Sequence, residues 1–268
     1  MGSRIIDKFV RATELMMGKS TPYFRATAIR DDHGLLRSVS HMTPYRKQLI
    51  AGSRNYRARS EIALDVASNY PGGDYFEFGA GSLQSFRSFL AAFDLNGLAD
   101  RFPESRFYAF DIFGNPDQGS GPPPDDRQYF EHWRNPFERA APLADLKRYR
   151  ALKDRCVIVP GYFQDTLNDE FKAKIKKENR KIGFAFLDVN IASSYKLVFD
   201  FLLDVMKPER IFIEIDEYFE EHMPPIHTLY QDFAAEAKKR YNLDSLYMRN
   251  AGAFGALFCL MPGRPGAT

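Results

Sequence analysis

From residue 74 onward the chain alternates short, nearly continuous apolar runs with stretches of helical periodicity, and this alternation limits the folds open to it. The runs are 74–79 (DYFEFG), 106–111 (RFYAFD), 156–161 (CVIVPG), 182–189 (IGFAFLDV) and 210–216 (RIFIEID). Most of these runs suit strands buried on both faces, with helices carrying the chain back between parallel neighbours. A helical pattern from about 54 to 69, stopped by Pro71-Gly72-Gly73, precedes the first run. The end of the chain differs. LDSLYMRN and FGALFCLM are separated only by Ala251-Gly252-Ala253. That gap is too short for a helical crossover, so these two strands must pair antiparallel. The expectation is an α/β, doubly wound, Rossmann-like sheet: five parallel strands plus an antiparallel C-terminal pair, with helices on both faces.

Two segments fall outside the alternation. Residues 4–17 place Ile5, Ile6, Phe9, Val10, Leu15 and Met16 near one helix face, and 21–52 is interrupted by Pro22, Gly34 and Pro44. We divide the chain into an N-terminal helix and arm over 1–53, acting as a cap or an oligomer contact, and a main domain over 54–268. The main domain carries an insertion at 114–150, rich at first in Gly and Pro and later in aromatics at helical spacing (Tyr129, Phe130, Trp133, Phe137). It reads either as a lid or as a packed decoration.

Composition narrows the partners. With 37 basic and 35 acidic residues the net charge is +2, so no strong field recruits nucleic acid or an anionic membrane. No apolar run approaches the roughly 20 residues of a membrane helix, and no secretory leader is recognisable, so a cytoplasmic location is expected. Cys156 and Cys259 each sit in an apolar run and read as buried free thiols.

The first strand runs into a glycine turn, Gly79-Ala80-Gly81. A pyrophosphate cofactor asks for a third small residue three positions on, where Gln84 stands. Glu77 lies inside an apolar strand, where an unpaired charge is costly. Either a backbone or arginine partner satisfies it, or it faces the ammonium of S-adenosylmethionine while Gly79 and Gly81 let the backbone approach that ligand. Asp111 ends the second strand, where a carboxylate can accept both hydroxyls of an adenosine ribose or simply form a turn. Asp188 and the Asp216-Glu217 pair end the fourth and fifth strands, at the carboxyl edge where open α/β sheets bind ligands. If those strands are neighbours, the acids converge, and a divalent cation or Lys196 must relieve their repulsion. Five parallel strands closed by an antiparallel pair is the layout of class I methyltransferases, whereas dinucleotide dehydrogenases complete a second βαβαβ half.

The blocks YFEFGAGS, YAFDIFGNPD, VPGYFQDTL, FAFLDVNIASSYKLVFDFL and IDEYFEE resemble, in order and approximate spacing, the macrocin O-methyltransferase-like group of class I S-adenosylmethionine-dependent methyltransferases. The resemblance covers about residues 55–260. It implies methylation of a hydroxyl on a sugar of a macrolide or related glycosylated natural product, with Mg2+ at the ends of strands four and five. Carried onto this chain, it implies S-adenosylmethionine bound by Glu77, Gly79, Gly81, Asp111, Gly161 and Phe163. It further implies metal held by Asp188, Asp216 and Glu217, with Asp188 also taking the hydroxyl proton. The family's Asp-x-Asp-x-Tyr-x-Ser-Thr becomes Asp188-Val189-Asn190-Ile191-Ala192-Ser193-Ser194, and its Asp-Asp-Tyr becomes Asp216-Glu217-Tyr218. Without metal, His222 or His132 would be the base. The competing readings are an NAD-type oxidoreductase and a degenerate methyltransferase fold that binds without turnover. A homo-oligomer built through the N-terminal helix is a further expectation.

Overall fold

The structure is a computed structural model that describes residues 66, 69–81, 83–113, 119–122, 152–219, 225–251 and 254–263. The expected N-terminal helix and arm, most of the insertion, His132 and His222 lie outside these residues. In chain order the elements are β1 (Asp74–Phe78), α1 (Gln84–Leu95), α2 (Leu98–Arg101), β2 (Phe107–Asp111), β3 (Cys156–Pro160), α3 (Phe163–Thr166), α4 (Asp169–Lys177), β4 (Ile182–Leu187), α5 (Ala192–Val205), β5 (Ile211–Ile215), α6 (Ile226–Tyr241), β6 (Leu243–Ala251) and β7 (Gly255–Pro262). They form one seven-stranded sheet in the order β3-β2-β1-β4-β5-β7-β6. The first five strands are parallel, and β7 pairs antiparallel with both β5 and β6. This is the expected doubly wound sheet with its antiparallel finish.

Aromatic residues fill both faces because side chains alternate along a strand with a period of two. On one face Phe76 lies opposite Tyr108 and Phe78 opposite Phe110, with centroids 4.6 and 5.0 Å apart. Phe171 of α4 and Phe201 of α5 pack over them. On the other face Tyr75 stacks on Phe89 of α1 at 4.1 Å. Every residue of β1, β4 and β5 is buried, as strands covered on both sides must be. β3 is the run that is not buried on both faces. It ends the sheet order, its residues are half-buried or exposed, and Cys156 is correspondingly half-buried while Cys259 is enclosed. Both thiols are free.

β1, β3 and β5 stop one residue short of their apolar runs and β4 stops two short. β4 ends at Leu187 and β5 at Ile215, so Asp188 and Asp216 are the first residues past their strands. This small difference matters, because a residue beyond the last ladder pair is free to turn its side chain toward the carboxyl edge.

Candidate active site

The glycine turn is built by packing as much as by sequence. The Gly79 and Ala80 N–H groups donate to the Phe110 carbonyl at 2.9 and 3.1 Å, which bends the chain over the end of β2. Gly79 has φ +81°, and a Cβ there would lie 1.8 Å from the Asp188 carbonyl oxygen. Only glycine lets the end of β1 pass that close to the end of β4. Gly81, at φ +46°, has no atom of the described residues within 4 Å of where its Cβ would be. Of the two, Gly81 is the one that borders open space among the described residues.

Asp111 braces this turn. Its Oδ2 accepts from the Gly81 N–H and its Oδ1 from the Phe113 N–H, each at 2.9 Å. Burial pushes the carboxyl above its ordinary value against the pull of these donors and of the Ile112 N–H. On the far side of Asp111, the Gly161 N–H donates to the Asp111 carbonyl at 2.9 Å, and Phe163 packs edge-on against Phe78 at 6.1 Å.

Glu77 is fully enclosed. The partners required by its burial are Tyr75, whose hydroxyl donates to Oε2, and Ser85, whose hydroxyl donates to Oε1 at 2.6 Å. Tyr75 shares its face of β1, and Ser85 sits in the first turn of α1. The carboxylate therefore ties β1 to α1 from behind the glycine turn. Neither hydroxyl was singled out from the sequence, although the two-residue spacing of Tyr75 and Glu77 already puts them on one strand face.

The acids do converge. The Asp188 N–H donates to the Phe78 carbonyl and the Asp216 N–H to the Leu187 carbonyl, both at 2.9 Å, extending the pairing that ends at Leu187 and Ile215. One carboxylate oxygen from each of Asp188, Asp216 and Glu217 lies within 4.8 Å of the others. Asp188 and Asp216 are half-buried and Glu217 is 3% exposed. Burial first, then the Asp188 and Asp216 charges, raise the Glu217 carboxyl from 4.5 to about 9. Three oxygen donors converging in a low-dielectric corner suit a hard divalent cation, which would hold all three ionised. Lys196 is exposed on α5.

Two residues change meaning in three dimensions. Asn190, which stands where the resembled motif has a second acid, has φ +59°. Asn is one of the few residues that adopt the left-handed region readily, so it shapes the turn from β4 into α5. Tyr195 lies one helical turn beyond Ala192, where that motif has its tyrosine. It is completely buried and its hydroxyl donates to Glu217 Oε2, with the Leu187 carbonyl 3.4 Å away. Nothing in its spacing along the chain pointed to Glu217, 22 residues later.

Gln164 and Asp165 also gain a role. The Ser120 N–H donates to Asp165 Oδ2 at 2.9 Å, the Ser120 hydroxyl donates to Oδ1, and Gln164 Nε2 donates to the Gly121 carbonyl at 2.7 Å. The start of the 114–150 insertion is thus pinned to α3. A cleft of about 310 Å3 opens at the opposite edge of the sheet, lined by Asp74, Arg101, Glu104, Arg180 and Lys181 among others. Its main charges serve each other: the Arg180 guanidinium donates to both Asp74 oxygens, one of these bonds being 2.8 Å. It is a structural brace.

Apart from Glu77, enclosed within β1, and Phe163, at the start of α3, the predicted site residues lie along one edge, in the order Gly161, Asp111, Gly79 and Gly81, Asp188, then Asp216 with Glu217. No protein-family model matches the chain, and no curated protein sequence does. Among solved structures, the O-methyltransferase NovP is 17% identical, with 80% of this chain and 82% of that chain covered and a TM-score of 0.54. The O-methyltransferase TomG from Streptomyces achromogenes, involved in tomaymycin synthesis, is 12% identical, with 87% and 91% covered and a TM-score of 0.49. No helix among the described residues is long and apolar enough to cross a membrane. The strand order, the antiparallel finish and the likeness to NovP agree on the architecture: the chain has the fold of the class I S-adenosylmethionine-dependent methyltransferases.

Proposed function

We propose that the protein is an S-adenosylmethionine-dependent O-methyltransferase, assisted by a divalent cation and acting on a hydroxyl of a sugar or glycosylated small molecule. The observation that carries this reading is the contact of Gly79 with Asp188, which puts the turn that would seat the methyl donor against the first acid of the cluster. The acceptor class rests on the sequence resemblance. NovP, whose fold the chain shares, is an O-methyltransferase, which supports methyl transfer to oxygen over hydride transfer to a nicotinamide.

In this reading Gly81 lets the donor approach the backbone, Asp111 receives the ribose hydroxyls, and Glu77 holds the turn and α1 in place beneath the methionine end. Gly161 and Phe163, in the turn after β3 and at the start of α3, flank the adenosine. Asp188, Asp216 and Glu217 would hold Mg2+, which supplies positive charge that lowers the pKa of an acceptor hydroxyl. Asp188 accepts the proton as the acceptor oxygen bonds to the methyl carbon. The carbon–sulfur bond breaks with its electron pair staying on sulfur, so the donor's charge is neutralised in the same step. The remaining contribution is alignment of oxygen, carbon and sulfur.

Calorimetric titration with S-adenosylhomocysteine and with NAD tests the donor. Binding of the first and not the second is expected, and the reverse would overturn the assignment. Transfer of labelled methyl to a panel of glycosylated hydroxyl acceptors, with Mg2+ or with chelator, tests the chemistry. Transfer that chelator leaves undiminished would remove the cation from it.

A further inference from the structure

The phenol of Tyr195 stands behind the acid cluster with no part in proton or methyl transfer. It is enclosed in the first turn of α5, its ring is 6.0 Å from that of Phe199, and its hydroxyl proton is directed to Glu217 Oε2. The Leu187 carbonyl, 3.4 Å from the same hydroxyl, belongs to the residue just before Asp188. One side chain thus touches the strand end that presents Asp188 and the carboxylate of Glu217. We propose that Tyr195 is a positioning residue that holds Glu217 as a one-oxygen ligand, so that the cluster selects a small octahedral cation such as Mg2+ or Mn2+ over Ca2+. This rests on the metal reading above.

A carboxylate can chelate with both oxygens or offer one. The phenol fixes the orientation of Oε2, so turning the carboxylate to chelate through both oxygens would bend or lengthen this buried hydrogen bond, which is unfavourable in an enclosed site. Ca2+ gains from bidentate carboxylates and takes six to eight oxygens, whereas Mg2+ requires near-ideal octahedral geometry with ligands at about 2.1 Å. Three carboxylates each giving one oxygen fit the second demand better than the first. Hydrogen-bonded partners behind a ligand typically govern about 10- to 100-fold of metal affinity.

The test uses the full chain stripped of metal, with Mn2+ followed by electron paramagnetic resonance and displaced by Mg2+ or Ca2+. In the unmutated protein Mg2+ should displace Mn2+ at lower concentration than Ca2+ does. Tyr195→Phe, which keeps the ring, should weaken Mn2+ binding by about 10-fold or more and shift the preference toward Ca2+. In a Glu217→Gln background the same substitution should change Mn2+ affinity less than threefold, because the phenol acts through the carboxylate. S-adenosylhomocysteine affinity should be unchanged throughout. Unaltered Mn2+ affinity and unaltered Mg2+-to-Ca2+ preference in Tyr195→Phe would overturn the role of Tyr195 and leave the metal centre standing. No Mn2+ binding by the unmutated protein would overturn the metal centre and this proposal with it. Should Tyr195→Phe not fold, Ca2+ displacing Mn2+ from the unmutated protein as readily as Mg2+ would still refute the selection.

Discussion

Alanine placed at Gly79 and at Gly81 separates the two tasks of the glycine turn. At Gly79 the new Cβ would lie 1.8 Å from the Asp188 carbonyl oxygen and 2.7 Å from its carbonyl carbon, both backbone atoms that cannot swing aside. Left-handed backbone costs a non-glycine residue about 1–2 kcal/mol, and forcing an atom into a packed site costs about 1–3 kcal/mol more. A domain of this size loses about 2–4 °C of melting temperature per kcal/mol. Gly79→Ala should therefore melt about 10 °C below the unmutated protein. It should also lose affinity for divalent cation, since the end of β4 that presents Asp188 must move. Gly81→Ala carries the left-handed strain of about 1–2 kcal/mol without a clash against the described residues, none of which has an atom within 4 Å of the new Cβ. It should lose only a few degrees, yet bind S-adenosylhomocysteine at least about tenfold more weakly, equivalent to about 1.4 kcal/mol, because the methyl group fills space the ligand needs. Differential scanning fluorimetry and calorimetry on the same two preparations decide it. A Gly79→Ala protein that melts within about 2 °C of the unmutated one, or a Gly81→Ala protein that binds normally, would refute the division of labour.

Two further expectations follow from the buried acids. Ser85→Ala removes the donor at 2.6 Å from Glu77 Oε1, so equilibrium unfolding in urea should show a loss of about 1–3 kcal/mol, and a loss below about 0.5 kcal/mol would show that Glu77 is satisfied without Ser85. In chelator, Glu217 binds its proton more tightly folded than unfolded, its pKa rising from 4.5 to about 9. The folded state thus holds more protons between those values, and stability should fall as pH rises through that window. Glu217→Gln should flatten this part of the pH profile, and a metal-free protein whose stability rises between pH 5 and about 9 would contradict the clustered-acid electrostatics.

How far the sequence could be read depended on the range of the interaction involved. The five apolar runs and the three-residue link at 251–253 dictated parallel strands and an antiparallel finish, because burial on both faces and hairpin closure are properties of contiguous segments. The strand ends bearing Asp111, Asp188 and Asp216 were legible for the same reason. The partners of Glu77 were half legible. Tyr75 shares its strand face by simple alternation, while Ser85 enters only when the turn folds α1 back over β1. Which run would fall short of burial on both faces was not legible, because a nearly continuous apolar run says nothing about whether a strand lies inside the sheet order or at its end.

The sequence by itself therefore determined the strands, the glycine turn and the residue types waiting at the strand ends. Only the tertiary structure decided what those residues do to one another. It made Gly79 obligatory by bringing the Asp188 carbonyl against it, turned Asp111 and Glu77 into braces of the turn, and gathered Asp188, Asp216 and Glu217 within 4.8 Å. It also set Tyr195 behind Glu217. Hydrophobic periodicity is local and survives in the linear chain. Close approach, carboxylate repulsion and a buried hydrogen bond depend on distances between residues far apart in sequence, and these exist only once the sheet has assembled.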